Sequence, residues 1–198
     1  RFMLYVGQIY PPKNFGNLLR AYASVGPRLG INLVIAGTHT WLCERELKLI
    51  DELGLKPWII QTGWIDHESL PAFYALALAL LLPSLYEACP SPLLEAMAVG
   101  CPIVTSNRNG CREIAGDAAL LVEPEDVGSI AHGIERMATE EDTRERFVLA
   151  GRERIKEFDW DKCARQTMTI LEKTQARPGG TKAGEHDQRD KPSMSNIA

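Results

Sequence analysis

The stretch ALLLPSLYEACPSPLLEAMAVGCPIVTS, residues 79–106, decides the fold. It opens on Ala79–Leu82, closed by Pro83 and Ser84, and ends on Ile103–Thr105, closed by Ser106 and Asn107. Both runs are apolar on both faces, as strands buried in a parallel sheet are. Between them Leu93, Leu94, Ala96, Met97 and Val99 predict a buried helix that Gly100 ends. Pro92 suits its first position and Ser91 its N-cap. Strand, helix and strand in this order make a βαβ unit with a right-handed crossover.

The same alternation extends outward in both directions. Further strands are predicted at Phe2–Val6 before Gly7, Asn32–Ala36 before Gly37, Trp58–Thr62 before Gly63, and Ala118–Val122 before Glu123. Helices fall at 14–26, with Leu18, Leu19, Tyr22 and Val25 on one stripe, and at 41–53, with Leu42, Leu47, Ile50 and Leu53 capped by Gly54. Another falls at 67–78. From about residue 126 the chain reads as helical throughout, at 126–138, 140–157 and 160–173, with Asp159 as the N-cap of the last. The expectation is an α/β, Rossmann-like three-layer fold with a parallel sheet of about six strands and C-terminal helices. It places one domain at 1–173 and a disordered polar tail at 174–198, which is aperiodic and contains Pro and Gly.

Composition removes several classes. Apolar residues make up 45% and charged residues 24%, so a collagen-like, coiled-coil or wholly disordered chain is excluded. The net charge of −4 offers no basic field for a phosphate backbone, so nucleic acid is not an expected partner. The 5 cysteines are odd in number and lack zinc-ligand spacing, which favours a reduced, cytoplasmic setting. The uncharged run Ser69–Tyr86 is cut by Pro71 and Pro83 to about eleven apolar residues, too short to span a bilayer. A buried helix flowing into a buried strand accounts for it. Arg1 leads straight into an apolar run, which reads as a chain cut from a longer one.

In open parallel sheets, ligands bind outside the carboxyl ends of the strands. There, backbone N–H groups of Ser91, Leu93 and Leu94 with the helix dipole make an anion site. Glu95, one turn in, reaches toward a vicinal diol, and Glu87 in the preceding loop accepts from a second hydroxyl cluster. The plainer alternative is that two glutamates eight apart arise by chance and that Glu95 complements its own helix dipole. In Gly7-Gln8-Ile9-Tyr10-Pro11-Pro12-Lys13-Asn14, Lys13 at a helix start opposes the dipole unless an anion sits nearby; a solvated surface lysine is the alternative. Trp64 and Ile65 follow the third strand, where a flat ring and main chain suit a nucleobase, or where Trp64 merely packs. No G-x-G-x-x-G, P-loop or nucleophile elbow is present. His39, His67, His132 and His186 are scattered, and only His39 falls near the strand ends, as a polar loop residue.

Together these segments resemble the C-terminal, donor-binding domain of a retaining GT-B glycosyltransferase of family 4, glycosyl transferases group 1. The resemblance covers residues 1–173. It rests on Tyr5-Val-Gly7 with Pro-Lys13-Asn14, Val34-Ile-Ala-Gly37, Gly63-Trp-Ile65, Pro83-Ser-Leu-Tyr-Glu87, Leu94-Glu95-Ala-Met-Ala-Val-Gly100-Cys-Pro102, Gly110-Cys-Arg-Glu113, Ala119-Leu-Leu-Val122 with Pro124-Glu-Asp126, and Phe158-Asp-Trp160.

The resemblance implies roles. Glu87, the catalytic candidate, contacts donor-sugar hydroxyls, and Glu95 holds the ribose. Amides after Glu87, at Cys89, Ser91, Leu93 and Leu94, meet the diphosphate. Lys13 neutralises it beside Gly7 and Gln8, and main chain at Ile65 beside Trp64 touches the base. No metal or cofactor is implied. The partner is a nucleotide sugar linked to uridine, guanosine or adenosine diphosphate, and Pro11-x-Lys13-Asn14 is similar to mannosyltransferase-like members, which leans to guanosine diphosphate mannose. The acceptor half, the missing N-terminal domain, would lie elsewhere in the same polypeptide. The full enzyme would be cytoplasmic, with peripheral association at the inner face of the membrane. The chain departs from the family at Gln8 and Pro12, where arginines are frequent, and at Pro90, which has no N–H. The alternatives are a GT-B relative with other chemistry, such as an epimerase, and a non-catalytic α/β binding module.

Overall fold

The computed structural model describes residues 1–38 and 43–175. His39, Leu42, His186 and the polar tail beyond residue 175 lie outside the described residues. Residues 1–157 form one compact unit, with elements in the order β1 (Phe2–Val6), α1 (Phe15–Val25), β2 (Asn32–Ala36), α2 (Glu44–Glu52), β3 (Ile59–Gly63), α3 (Leu70–Leu76), β4 (Leu80–Leu82), α4 (Ser91–Val99), β5 (Ile103–Ser106), α5 (Asn109–Ala115), β6 (Leu120–Val122), α6 (Val127–Thr139) and α7 (Glu141–Arg154). A second unit begins at Phe158 and contains α8 (Trp160–Gln175). Asp159 caps α8 as expected, its carboxylate accepting from the Lys162 N–H at 2.6 Å.

The six strands form one parallel sheet in the order β3-β2-β1-β4-β5-β6. The apolar runs explain the order of burial. β1, β2, β4 and β5 are buried along nearly their whole length, whereas the edge strand β3 alternates no hydrophobic face and is largely exposed. Right-handed crossovers put α1 and α2 on one face and α3, α4 and α5 on the other. α6 then returns to pack on α1. The stripe Leu18, Leu19, Tyr22 and Val25 seats α1 on the sheet, where each is buried. The Tyr22 hydroxyl donates to the Ile31 carbonyl, tying the helix to the entry of β2.

Three local expectations need correction. Residues 109–115 form a helix, α5, where none was predicted. α3 is not a buried helix: only Tyr74 is buried, and Leu76 is 73% exposed. The helix forms an outer layer over the sheet, so one contact line suffices. α4 begins at Ser91 itself, with Pro90 in the cap position and no side-chain capping bond. Pro92 thus falls at the second position, where its missing N–H is equally harmless. No helix among the described residues is long and apolar enough to cross a membrane.

Candidate functional site

The crossovers reverse direction between β1 and β4, which leaves a crevice at the carboxyl ends of those strands. Pro11 and Pro12 fix the short 3-10 turn Pro11–Lys13 that follows β1. The next residue, Asn14, has left-handed backbone (φ 58°, ψ 31°), which asparagine tolerates. Its buried side-chain amide donates to the Pro83 carbonyl at 2.9 Å and to the Pro124 carbonyl at 2.6 Å. One side chain therefore joins the exits of β1, β4 and β6. The Leu85 N–H adds a bond to the Pro12 carbonyl at 2.8 Å.

This stitching brings Lys13 onto Glu87. The Lys13 ammonium lies 2.5 Å from Glu87 Oε1, and the Ser84 hydroxyl donates to the same oxygen at 2.8 Å. The side chains are only 12% and 9% exposed, so each charge depends on the other and on Ser84 for compensation. The solvated-lysine alternative is thereby set aside. Behind the pair, the Glu87 carbonyl accepts from the Gly110 N–H at 3.0 Å. A Cβ at Gly110 would lie 2.7 Å from that oxygen and 2.5 Å from the Ala88 carbonyl, so only glycine permits this approach. Burial pushes the neighbouring Cys111 thiol up, keeping it protonated there; Thr105 opposes this and the Glu87 charge adds to it.

Glu95 stands on α4, half-buried, and is not simply a dipole partner. The Tyr74 hydroxyl donates to its Oε2 at 2.8 Å from α3. Tyr74 is buried, and desolvation, with the Glu95 charge adding to it, raises its pKa far above the ordinary phenol range. It therefore acts as a fixed donor.

The floor toward β3 is main chain. The Gly7 N–H donates to the Ala36 carbonyl and the Gly37 N–H to the Gly63 carbonyl. At φ +156°, a Cβ on Gly37 would lie 2.1 Å from the Gly7 carbonyl oxygen. Gln8 is exposed, its carbonyl held by the Tyr5 hydroxyl at 2.9 Å. Trp64 is 75% exposed, so the packing alternative fails for it; Ile65 beside it is half-buried. Cys89 and Ser91 are exposed at the mouth of α4 and Leu94 is half-buried. Leu93 does not fit the anion role: its side chain is in the core and its N–H donates to the Pro90 carbonyl at 3.0 Å. His67 and His132 are exposed surface residues. Among the described residues no three His, Cys, Asp or Glu side chains converge as metal ligands.

Sequence reasoning picked out Lys13, Glu87 and Glu95 but not Ser84, Asn14 as a clasp, or Tyr74. Tyr74 lay hidden inside an apolar run.

The family described as Glycosyl transferases group 1 matches residues 1–154. O-antigen chain mannosyltransferase B of Escherichia coli is 34% identical over 169 residues, covering 84% of this chain and 44% of that protein. Sucrose-phosphate synthase from Thermosynechococcus elongatus superposes with a TM-score of 0.78 at 28% identity, over 88% of this chain and 45% of that one. Anabaena HepE, solved in complex with UDP and glucose, shares the fold at 18% identity and a TM-score of 0.76, over 87% of this chain and 48% of that one. The chain spans less than half the length of each of these three proteins.

Proposed function

Because the chain belongs to the Glycosyl transferases group 1 family, we propose that it is the donor-holding half of a retaining glycosyltransferase that works without a metal ion. One observation carries this reading: a nearly dry Lys13–Glu87 pair stands at the switch point of the sheet. A cation and a carboxylate that cancel each other here match a ligand with a diphosphate next to a sugar. The diphosphate takes Lys13, and Glu87, released, accepts from sugar hydroxyls. Amides at Cys89, Ser91 and Leu94 add donors to the diphosphate. Glu95 takes the ribose diol, over the floor made by Gly7 and Gln8. Main chain at Ile65 and the open face of Trp64 take the base.

In the reaction, the bond from the anomeric carbon to the diphosphate oxygen breaks. The acceptor oxygen bonds to that carbon on the same face and gives up its proton to the departing diphosphate oxygen. Charge that builds on the leaving diphosphate is stabilised by Lys13 and the amides, groups already in place before reaction. Holding the donor rigidly also raises its effective concentration toward the acceptor. The acceptor half belongs to the rest of a longer polypeptide, since the match covers only 44% of the mannosyltransferase relative, and this chain by itself is inactive in transfer. The mannosyltransferase relative favours mannose as the sugar, and the likeness of Pro11-x-Lys13-Asn14 to mannosyltransferase-like members favours guanosine diphosphate as its carrier. The whole enzyme works in the cytoplasm, at the inner membrane face.

A thermal-shift panel of nucleotide sugars tests this. A ligand at 100 times its Kd stabilises the fold by about 2.7 kcal/mol. The shift persists in a chelator. Absence of any shift with nucleoside diphosphates or nucleotide sugars at millimolar concentration sinks the reading, and loss of the shift on chelation removes the metal-free part of it.

A further inference from the structure

We propose, resting on the reading that Glu95 binds the ribose, that Tyr74 is the positioning residue for that contact, its hydroxyl holding the Glu95 carboxylate as a ready acceptor for a vicinal diol. Tyr74 lies 21 residues before Glu95, on a different helix, and meets it through a 2.8 Å bond to Oε2. The two ends of this bond are unlike. The tyrosine ring is 1% exposed and locked by packing, whereas the glutamate is a flexible side chain on a helix surface. An unheld glutamate loses rotamer freedom each time it grips a ligand, and that loss weakens binding. Here the loss has been incurred on folding.

The acceptor count also fits. An ionised carboxylate offers about four lone-pair sites, and Tyr74 uses one. All of Oε1 and one site on Oε2 remain, enough for two adjacent hydroxyls. A bond that served only to join α3 to α4 would leave every ligand equally affected by its loss. A positioning bond affects only ligands that carry the diol.

The test is Tyr74→Phe in the full 198-residue chain, which keeps the ring and its packing. Calorimetric affinities are compared for uridine and guanosine diphosphates and for their 2′,3′-dideoxy analogues. The substitution is expected to weaken the ribose forms by about five- to tenfold, within the range of a typical net hydrogen bond, and to leave the dideoxy forms unchanged. In a Glu95→Ala background it is expected to have no further effect. A melting curve reports the fold of each variant, and because the readout is a ratio between two ligands, a small change in stability does not move it. Equal loss for ribose and dideoxy forms, or no loss for the ribose forms, overturns the proposal while leaving Glu95 in place. A wild-type chain that binds both forms equally overturns the ribose reading itself, before any change at Tyr74.

Discussion

The crevice has two unlike ends. Over β1 and β4 the side chains are buried, paired and bonded: Lys13 to Glu87, Ser84 to Glu87, Asn14 to two carbonyls. Over the edge strand β3 the floor is bare main chain, and Trp64 stands exposed beside it. Central strands are covered on both faces, so their exits are held in place by the core. An edge strand lacks that support, and the residues after it stay open to solvent. On the proposed reading, the end assigned to the diphosphate and sugar is thus built in advance, and the end assigned to the base is left adaptable.

Substitutions probe this contrast from its most built point outward. Asn14→Asp keeps the left-handed backbone but turns two donated bonds into a carboxylate facing two carbonyls. It is expected to lower stability by about 3–5 kcal/mol in urea unfolding; a loss near zero means the strand exits are held otherwise. Glu87→Ala is expected to weaken a nucleotide sugar by about tenfold or more. The matching nucleoside diphosphate keeps or gains affinity, because Lys13 is no longer engaged. Glu95→Ala is expected to weaken the two ligands alike, by about tenfold. If both glutamate variants give the same pattern, their assigned roles are wrong. Trp64→Ala ranks last. Its fold stability should move by less than about 0.5 kcal/mol, and nucleotide affinity should fall by about fivefold through lost stacking. A large loss of stability there would erase the contrast between the two ends.

Legibility followed the same line. Most of the strands could be read because they are short apolar runs stopped by Gly, Pro or a small polar residue, and burial on both faces of β1, β2, β4 and β5 leaves little room for another pattern. Helix α5 could not. Asn109-Gly110 is a turn signature, Asn109 has a left-handed backbone (φ 47°), and the seven residues carry only a one-turn apolar stripe of Cys111, Ile114 and Ala115. The helix exists because Gly110 fits under the Glu87 loop, a contact made by tertiary packing. Lys13 and Glu87 were each visible as unusual charges beside a strand exit. Their pairing was not, since 74 residues separate them and no local rule couples them. Leu93 was misread for the opposite reason: a helix start offers free amides in general, but Pro90 had already taken this one.

The clasp at Asn14 also sets how the crevice can breathe. Opening the exit of β4 or of β6 breaks a bond to the Asn14 side chain that follows β1, so the three exits are expected to exchange amide hydrogens as a cooperative unit. Slow loop rearrangement is thereby removed from this side of the cleft. On the proposed reading, only a side chain has to move when the donor arrives: the ammonium of Lys13 would change partners over a backbone that Asn14 holds.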